Sequence, residues 1–499
     1  MVLQTNLFKE EICKDHRLFY RKQGNVQFKD GYLTIEDGAE ISTDTYMNMF
    51  DFEFWQQFCS VSECCLELEF CGDGTVSMCS WCGEKENIFY VKKLSSKTER
   101  REIVPIHPVK DGGMIYFTLT SESRMQVRRA AYTVTETGRR EIHLSLVMCT
   151  YKRNDYVWRN LEVLKQSCFF DRQSSLFGKM SVHIVDNASE LPEMREPFIH
   201  IHHNPNTGGS GGFTRGILES RKEDAAGQVS HIIFMDDDVC FMEESFYRLY
   251  ALLSLLLPCY SQETVAGRMF RMDNKTVQYT ACEVWNKGNL IHMGHEKDMT
   301  AREGLLTVNK ERGEYGGWWF CCFPIEFAKE NLPLPFFLHC DDVEYGLRCG
   351  KSPLVLNGIQ VWHETAEHRM TPEMAYYDIR NSFIVNTIYG GFEDWKELLE
   401  RWRCYIGMYH REKQYALKYA AVSALKDYMR GSSYFLSCAK KKTFFSDNPK
   451  VLKLGAAVSW RITGWIYKRT GKKAFQSYRG ITCRYSAGQA DCVRQYMKL

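Results

Sequence analysis

His231-Ile232-Ile233-Phe234-Met235-Asp236-Asp237-Asp238 is an unbroken apolar run that ends in three carboxylates. The run has strand length, is rich in β-branched and aromatic residues, and shows no polar alternation, so it reads as a strand buried on both faces. Three adjacent acids repel one another. A strand end puts at least two of them on a common side, where a divalent cation is the natural compensation; a solvated acidic turn is the alternative.

Upstream, residues 142–148, 181–185 and 199–201 are further apolar strands, and residues 154–166 have helical apolar spacing. Strands alternating with helices predict an α/β domain with a mostly parallel sheet and a site at its carboxyl edge. Between the third and fourth strands lies Asn206-Thr207-Gly208-Gly209-Ser210-Gly211-Gly212-Phe213-Thr214-Arg215-Gly216, which leads into a helical pattern at 213–221. Glycines let backbone approach a ligand, and a helix N-terminus favours anions, although a flexible loop would look the same. The stretch lacks a Walker lysine and follows no first strand, which disfavours ATPase and nicotinamide readings. Downstream, Trp318-Trp319 after Gly316-Gly317 suits a sugar-stacking wall or a core pair. The run His339-Cys340-Asp341-Asp342-Val343-Glu344 offers a carboxylate able to take a proton from a hydroxyl. Trp362-His363-Glu364 closes an apolar stretch with a histidine that could complete a metal shell.

The chain has 499 residues, 44% of them apolar, 25% charged and 14% aromatic, with only 12 prolines. That excludes wholesale disorder and predicts two or three domains. Before residue 140, short alternating segments such as 32–35, 65–70 and 87–91 are punctuated by Asp30-Gly31, Asp37-Gly38, Asp73-Gly74 and Asp111-Gly112. Antiparallel strands with tight turns, an all-β sandwich, are expected there. After 391 the pattern is helical and basic. From Arg401 to the end, 21 Lys or Arg face four acids, a net of +17 within an overall +2. Such polarity predicts an anionic partner: a membrane surface, a polyphosphate head group or nucleic acid. The expected domains are 1–140 (β-sandwich), 141–390 (α/β) and 391–499 (basic, helical). The longest uncharged apolar stretch, 250–260, falls well short of the roughly 20 residues of a membrane helix. The start lacks a signal peptide's apolar run, and the 20 cysteines show no disulfide spacing, so a cytoplasmic protein with reduced thiols is expected.

Taken in order, Cys149-Thr150-Tyr151-Lys152-Arg153, Val185-Asp186-Asn187-Ala188-Ser189, the Asn206 glycine stretch, Phe234-Met235-Asp236-Asp237-Asp238, Trp318-Trp319, Asp341-Asp342-Val343-Glu344-Tyr345-Gly346 and Trp362-His363 resemble the inverting GT-A glycosyltransferases. Within these, they resemble the polymerising galactofuranosyltransferases of bacterial cell-wall galactan synthesis. The likeness covers 141–390 and extends more weakly to Thr43-Asp44-Thr45-Tyr46. It implies a GT-A (Rossmann-like) α/β catalytic domain between an N-terminal β-sandwich and a C-terminal helical domain. It also implies a UDP-sugar donor, with Thr150 and Arg153 lining the uridine pocket and Asp186 reading the uracil. Asp236, Asp238 and His363 would hold Mn2+ or Mg2+, with Asp237 on the donor side. The stretch at Asn206, Gly208 and Gly209 is placed near the donor from its character alone. Asp342 would be the general base beside Asp341, and Trp318 and Trp319 the acceptor wall. Asp378 stands where the family pattern puts a second active-site histidine, on the acceptor side. The implied acceptor is a lipid-linked glycan at the inner face of the cytoplasmic membrane, reached by peripheral attachment through the basic C-terminal region. A homo-oligomer is compatible, and nucleic acid is not among the partners expected on this reading. A metal-dependent nucleotidyltransferase and a non-catalytic glycan-binding protein are the competing readings.

Overall fold

The computed structural model describes residues 1–82, 85–106, 113–224, 228–305, 307–365, 370–437 and 449–482; the Asp111-Gly112 turn and the last residues of the basic segment lie outside these. The N-terminal strands form one ten-stranded antiparallel sheet that folds over on itself. Its spine is Cys64–Cys82. Residues 65–71 of this strand pair with Met125–Thr133, residues 74–81 pair with Met114–Ser121, and Lys85–Ile106 runs along the other edge. The two wings meet face to face, with Phe50 stacked on Tyr132 at a centroid distance of 4.5 Å.

Asp30-Gly31 forms a tight hairpin turn, both residues at positive φ (53° and 82°), as the two-residue hairpin geometry demands. Asp73-Gly74 does not. The expected turn there is the middle of the long strand, and the bend is made by Gly72 at φ 113°, where a Cβ would stand 2.5 Å from the Arg124 carbonyl oxygen.

The α/β region follows the predicted alternation. We label β1 (Leu144–Thr150), α1 (Asn154–Gln166), β2 (Met180–Asp186), β3 (Ile199–His203), α2 (Gly208–Asp224), β4 (His231–Asp236), β5 (Val265–Ala266) and β6 (Cys321–Pro324). The sheet order is β3-β2-β1-β4-β6-β5; the first four are parallel, and β6 alone is reversed, pairing antiparallel with both β4 and β5. Strand order therefore reverses between β1 and β4, and the crevice outside the carboxyl ends of those strands is where such sheets bind ligands. Cys149 of β1 is in register with Asp236 of β4, so the acid triplet opens into that crevice.

One local expectation is corrected. The glycine stretch is no loop: α2 begins at Gly208 and its glycines make room for protein. A Cβ would meet the Phe337 carbonyl at Gly208, Thr207 at Gly211, Cys149 Sγ at Gly212 and Val147 at Gly216.

Further elements are α3 (Asp341–Cys349), β7 (Gln360–His363), α4 (Pro372–Ile388), α5 (Trp395–Arg411), α6 (Tyr415–Met429) and α7 (Pro449–Tyr478). α6 ends at Met429, and Gly431 beyond it adopts φ 82°. On α7, Ile462 and Trp465 face solvent, while Thr463, Tyr467 and Tyr478 are buried. Among the described residues no helix is long and apolar enough to cross a membrane.

A buried polar tie joins the N-terminal region to β7. Arg248, fully buried, donates to Glu244 (2.9 Å) and to the carbonyls of Met47 (2.7 Å) and Asn357 (2.8 Å). Asn357 donates to the carbonyls of Tyr46 and Met49, just ahead of the strand that carries His363. Arg248→Met leaves Glu244 as an uncompensated buried charge and is expected to cost about 3–5 kcal/mol in urea unfolding, most of it recovered in Glu244→Met/Arg248→Met. A single-variant loss below about 1 kcal/mol would contradict the tie.

Candidate active site

β7 sits in a second sheet between Cys240–Phe241 and Arg268–Arg271, pairing antiparallel with the former through Cys240 and Trp362. The chain directly after the acid triplet is thus hydrogen-bonded to the strand that ends in His363. This brings the imidazole to Asp238 across 125 residues, with Nε2 3.0 Å from Asp238 Oδ1 and 3.9 Å from Asp236 Oδ2. His363 Nδ1 lies 2.6 Å from the Glu364 carbonyl and donates to it, which leaves Nε2 as the inward atom. One ligand atom from each of Asp236, Asp238 and His363 lies within 4.8 Å of the others. Two carboxylates and an imidazole at that spacing are a donor set that fits a divalent cation of the Mn2+ or Mg2+ kind.

α1 fixes the backbone that presents the acids. Asn160 donates to the Asp237 carbonyl (2.8 Å) and Arg159 to the Val239 carbonyl (2.6 Å). Arg153, just ahead of the helix, bridges Asp237 (3.1 Å) and Asp238 (2.5 Å). Burial and the charges of Asp238, Asp237 and Asp342 push Asp236 up to about 7. Burial works against Asp238 too, but His363 and Arg153 pull it below the ordinary carboxylate range. Burial also opposes charge on His363, yet the Asp238 hydrogen bond and the two carboxylates raise it to about 9. At neutral pH the imidazole therefore carries a proton directed at Asp238.

These groups form one end of a cavity of about 590 Å³. Asp341 and Asp342, at the start of α3, face it; burial pushes both carboxyls up, Asp341 also by Asp342 and Asp342 also by Glu283. Gly209 borders it too, since a Cβ there would stand 3.3 Å from Asp341 Oδ2. Trp318 and Trp319 form a wall. Trp318 serves the core as well, packing on Phe213 (4.8 Å) and Phe234 (4.9 Å), and the Trp319 Nε1 donates to the Gly267 carbonyl. Asp378 reaches the cavity from α4, paired with His339 Nδ1 at 2.7 Å.

The remaining predicted residues stand behind this surface. Asp186 is fully buried and its carboxylate accepts from the amides of Ala188, Glu190 and Leu191. Asn206 caps the start of α2 by accepting from the Gly208 amide (3.1 Å), and the space beside Gly208 is filled by Phe337. Thr150 is buried beside Asp237, whose own burial is only partly offset by Thr150 and Arg153. Sequence reasoning missed Trp285 and Leu290, on the hairpin formed by Cys282–Asn286 and Asn289–Met293, and Tyr315, Ser382, Tyr405 and His339. Only His339 had a signal, its place directly before the Cys340-Asp341-Asp342 run.

Residues 16–135 match the family described as Galactofuranosyltransferase 2 N-terminal, and residues 145–256 match Glycosyl transferase family 2. Galactofuranosyltransferase GlfT2 of Mycobacterium tuberculosis is 24% identical over 383 residues, covering 71% of this chain and 59% of its own length. GlfT2 of Mycolicibacterium smegmatis is 24% identical over 390 residues, covering 72% and 59%. The chain thus spans about three-fifths of the length of these curated relatives. Among solved structures, a mannosyltransferase from Pyrobaculum calidifontis in complex with GDP-Man and Mn2+ aligns over 69% of this chain and 89% of its own, at 11% identity and a TM-score of 0.32.

If this cluster takes a divalent cation, the proton held by His363 would make the binding pH-dependent. At pH 7.5 each Mn2+ bound should release about one proton, and affinity should rise with pH toward about 9 as the imidazole gives up its charge unaided. Calorimetric titrations in buffers of different ionisation enthalpy measure this; His363→Ala should weaken Mn2+ by more than the roughly 10–100-fold lost with an outer partner. Binding with no proton release would contradict the assignment.

Proposed function

For a protein of GT-A fold and galactofuranosyltransferase-like sequence, we propose a metal-dependent inverting glycosyl transfer from a UDP-sugar, UDP-galactofuranose foremost, to a hydroxyl of a growing cell-surface glycan. The observation that carries it is the meeting, in one cavity, of a cation site at the end of β4 and a carboxylate pair at the start of α3, with tryptophans alongside. A bound Mn2+ or Mg2+ would be held by Asp236, Asp238 and His363 and would supply positive charge to the departing diphosphate.

The chain's own residues do the rest. Asp342 takes the proton from the acceptor hydroxyl as its oxygen attacks the anomeric carbon from the face opposite the diphosphate. The new carbon–oxygen bond forms as the bond to the diphosphate oxygen breaks, so the anomeric configuration inverts. A carboxyl raised toward neutrality is a stronger base than an exposed aspartate, and the burial of Asp342 has that effect. Asp341 shares the pocket, and Arg153 adds a fixed cation on the triplet's side. Trp318 and Trp319 give the acceptor ring a flat apolar surface. The tryptophans and a carboxylate pair remote from the triplet in sequence, yet in the same cavity, favour a sugar over a nucleotidyl acceptor.

Asp342→Asn is expected to lower transfer kcat by about 10²–10⁴-fold while Mn2+ affinity holds. A screen of UDP-sugars and NTPs with synthetic galactofuranosyl acceptors measures it. Consumption of an NTP instead, or wild-type turnover by the variant, would contradict the proposal.

The face of α7 supports docking on an anionic membrane. Ile462 (53%) and Trp465 (54%) are exposed, Arg469 lies 3.7 Å above the Trp465 ring, and Arg461, Lys468, Lys472 and Lys473 surround them. Apolar side chains ringed by basic ones suit a lipid interface, where each well-placed charge contributes about 1 kcal/mol. Ile462→Ser/Trp465→Ser should lower co-sedimentation with phosphatidylglycerol vesicles, and added salt should lower it further; unchanged sedimentation would contradict this attachment.

A further inference from the structure

The segment that delivers Asp341 and Asp342 is held in a conformation that side chains other than glycine rarely adopt. Phe337, His339 and Cys340 have φ of 76°, 61° and 65°. Backbone of this kind persists only where the surroundings over-determine it. Here they do. One turn of α4 is devoted to the strap: the Tyr377 ring stacks on Phe337 at 5.2 Å, Arg380 donates to the Phe336 carbonyl (2.8 Å), and Asn381 donates to the carbonyls of Leu338 (2.6 Å) and His339 (2.9 Å). From the other side, Ser210 of α2 accepts from the Phe337 amide at 2.8 Å.

Arg380 and Asn381 grip backbone and are buried, so substrate does not meet them. The last contact of that turn is different. His339 Nδ1 pairs with Asp378 at 2.7 Å, both side chains are about one-third exposed, and both line the cavity. Burial disfavours the imidazolium, but the Asp378 hydrogen bond and the charges of Asp378, Asp341 and Asp342 raise it above the ordinary histidine range. With Nδ1 engaged by Asp378, Nε2 is the ring edge left for a ligand.

We propose that His339 and Asp378 form a positioning clasp: the pair locks the left-handed strap so that Asp341 and Asp342 keep their place in the cavity, and it offers the His339 Nε2–H to hydroxyl groups of the acceptor sugar. Asp378 acts through His339, and the acceptor contact rests on the glycosyl-transfer reading above. The clasp itself does not.

Full-length wild type, Asp378→Asn, His339→Gln and Asp378→Glu separate the two. By hydrogen exchange and mass spectrometry, amides of residues 336–342 should exchange about tenfold faster in Asp378→Asn and His339→Gln, with α6 unchanged. With UDP-galactofuranose and a galactofuranosyl acceptor, both variants should lose about 10²-fold in kcat/KM for acceptor, because misplaced reacting groups cost that much, while Mn2+ affinity stays within about twofold. Asp378→Glu, which keeps the charge, should recover most of both. Wild-type exchange in Asp378→Asn overturns the clasp whatever the activity, and so does a parallel loss of Mn2+ affinity, which would mark general collapse. If the wild type transfers sugar from no donor, the glycosyl-transfer reading and the acceptor contact fall, and the exchange result still decides the clasp.

Discussion

Carboxylates about 4 Å apart in a medium of effective dielectric near 20 repel by about 4 kcal/mol, and burial adds to that cost. The protein accepts this arrangement at the end of β4, where Asp236 and Asp238 lie side by side in a crevice. It is tolerable only because the fold delivers positive charge from two directions. Arg153 arrives from the end of β1, and His363 arrives at the end of β7 because Cys240 and Trp362 are paired strand to strand. The raised imidazole and the depressed Asp238 are two readings of one shared proton, which a cation would replace.

The second requirement of the proposed transfer, a carboxylate able to exchange a proton near neutrality, would be met by a different device. Asp341 and Asp342 are enclosed at the start of a helix whose preceding residues are strained. That strain is balanced by α4, which is also where the helical region begins to wall the cavity through Ser382 and, from α5, Tyr405. The acid triplet and the Asp341-Asp342 pair therefore sit on separate parts of the chain that meet only in the folded molecule. The polar tie at Arg248 fixes the turn leading into β7, so the N-terminal sheet region helps to place the strand that ends in His363.

What could be read from the sequence was local. The helix at 154–166 and the strand ending in Asp236 follow from periodicity and apolar continuity, and both appear with the expected bounds or one residue more. That Asp236, Asp238 and His363 would come together was legible because three adjacent acids need compensation and a strand-end histidine is a suitable partner. The failures were equally physical. Glycines signalled a loop at 208–212, yet their absence of side chains serves helix packing against Cys149 and Phe337. Asp73-Gly74 signalled a turn, yet a neighbouring strand on each edge carries the chain straight through a kink. Trp285 and Tyr405 carry no local mark because only the crossing of a hairpin over the helices brings them to the cavity.

The most direct measurement is the manganese anomalous signal from crystals grown with Mn2+ and UDP. A single strong peak bonded to Asp236, Asp238 and His363, with the UDP diphosphate on the same ion, is the predicted result. A peak elsewhere, or ordered UDP in the cavity with Asp238 and His363 still hydrogen-bonded to each other, would contradict a metal-held leaving group.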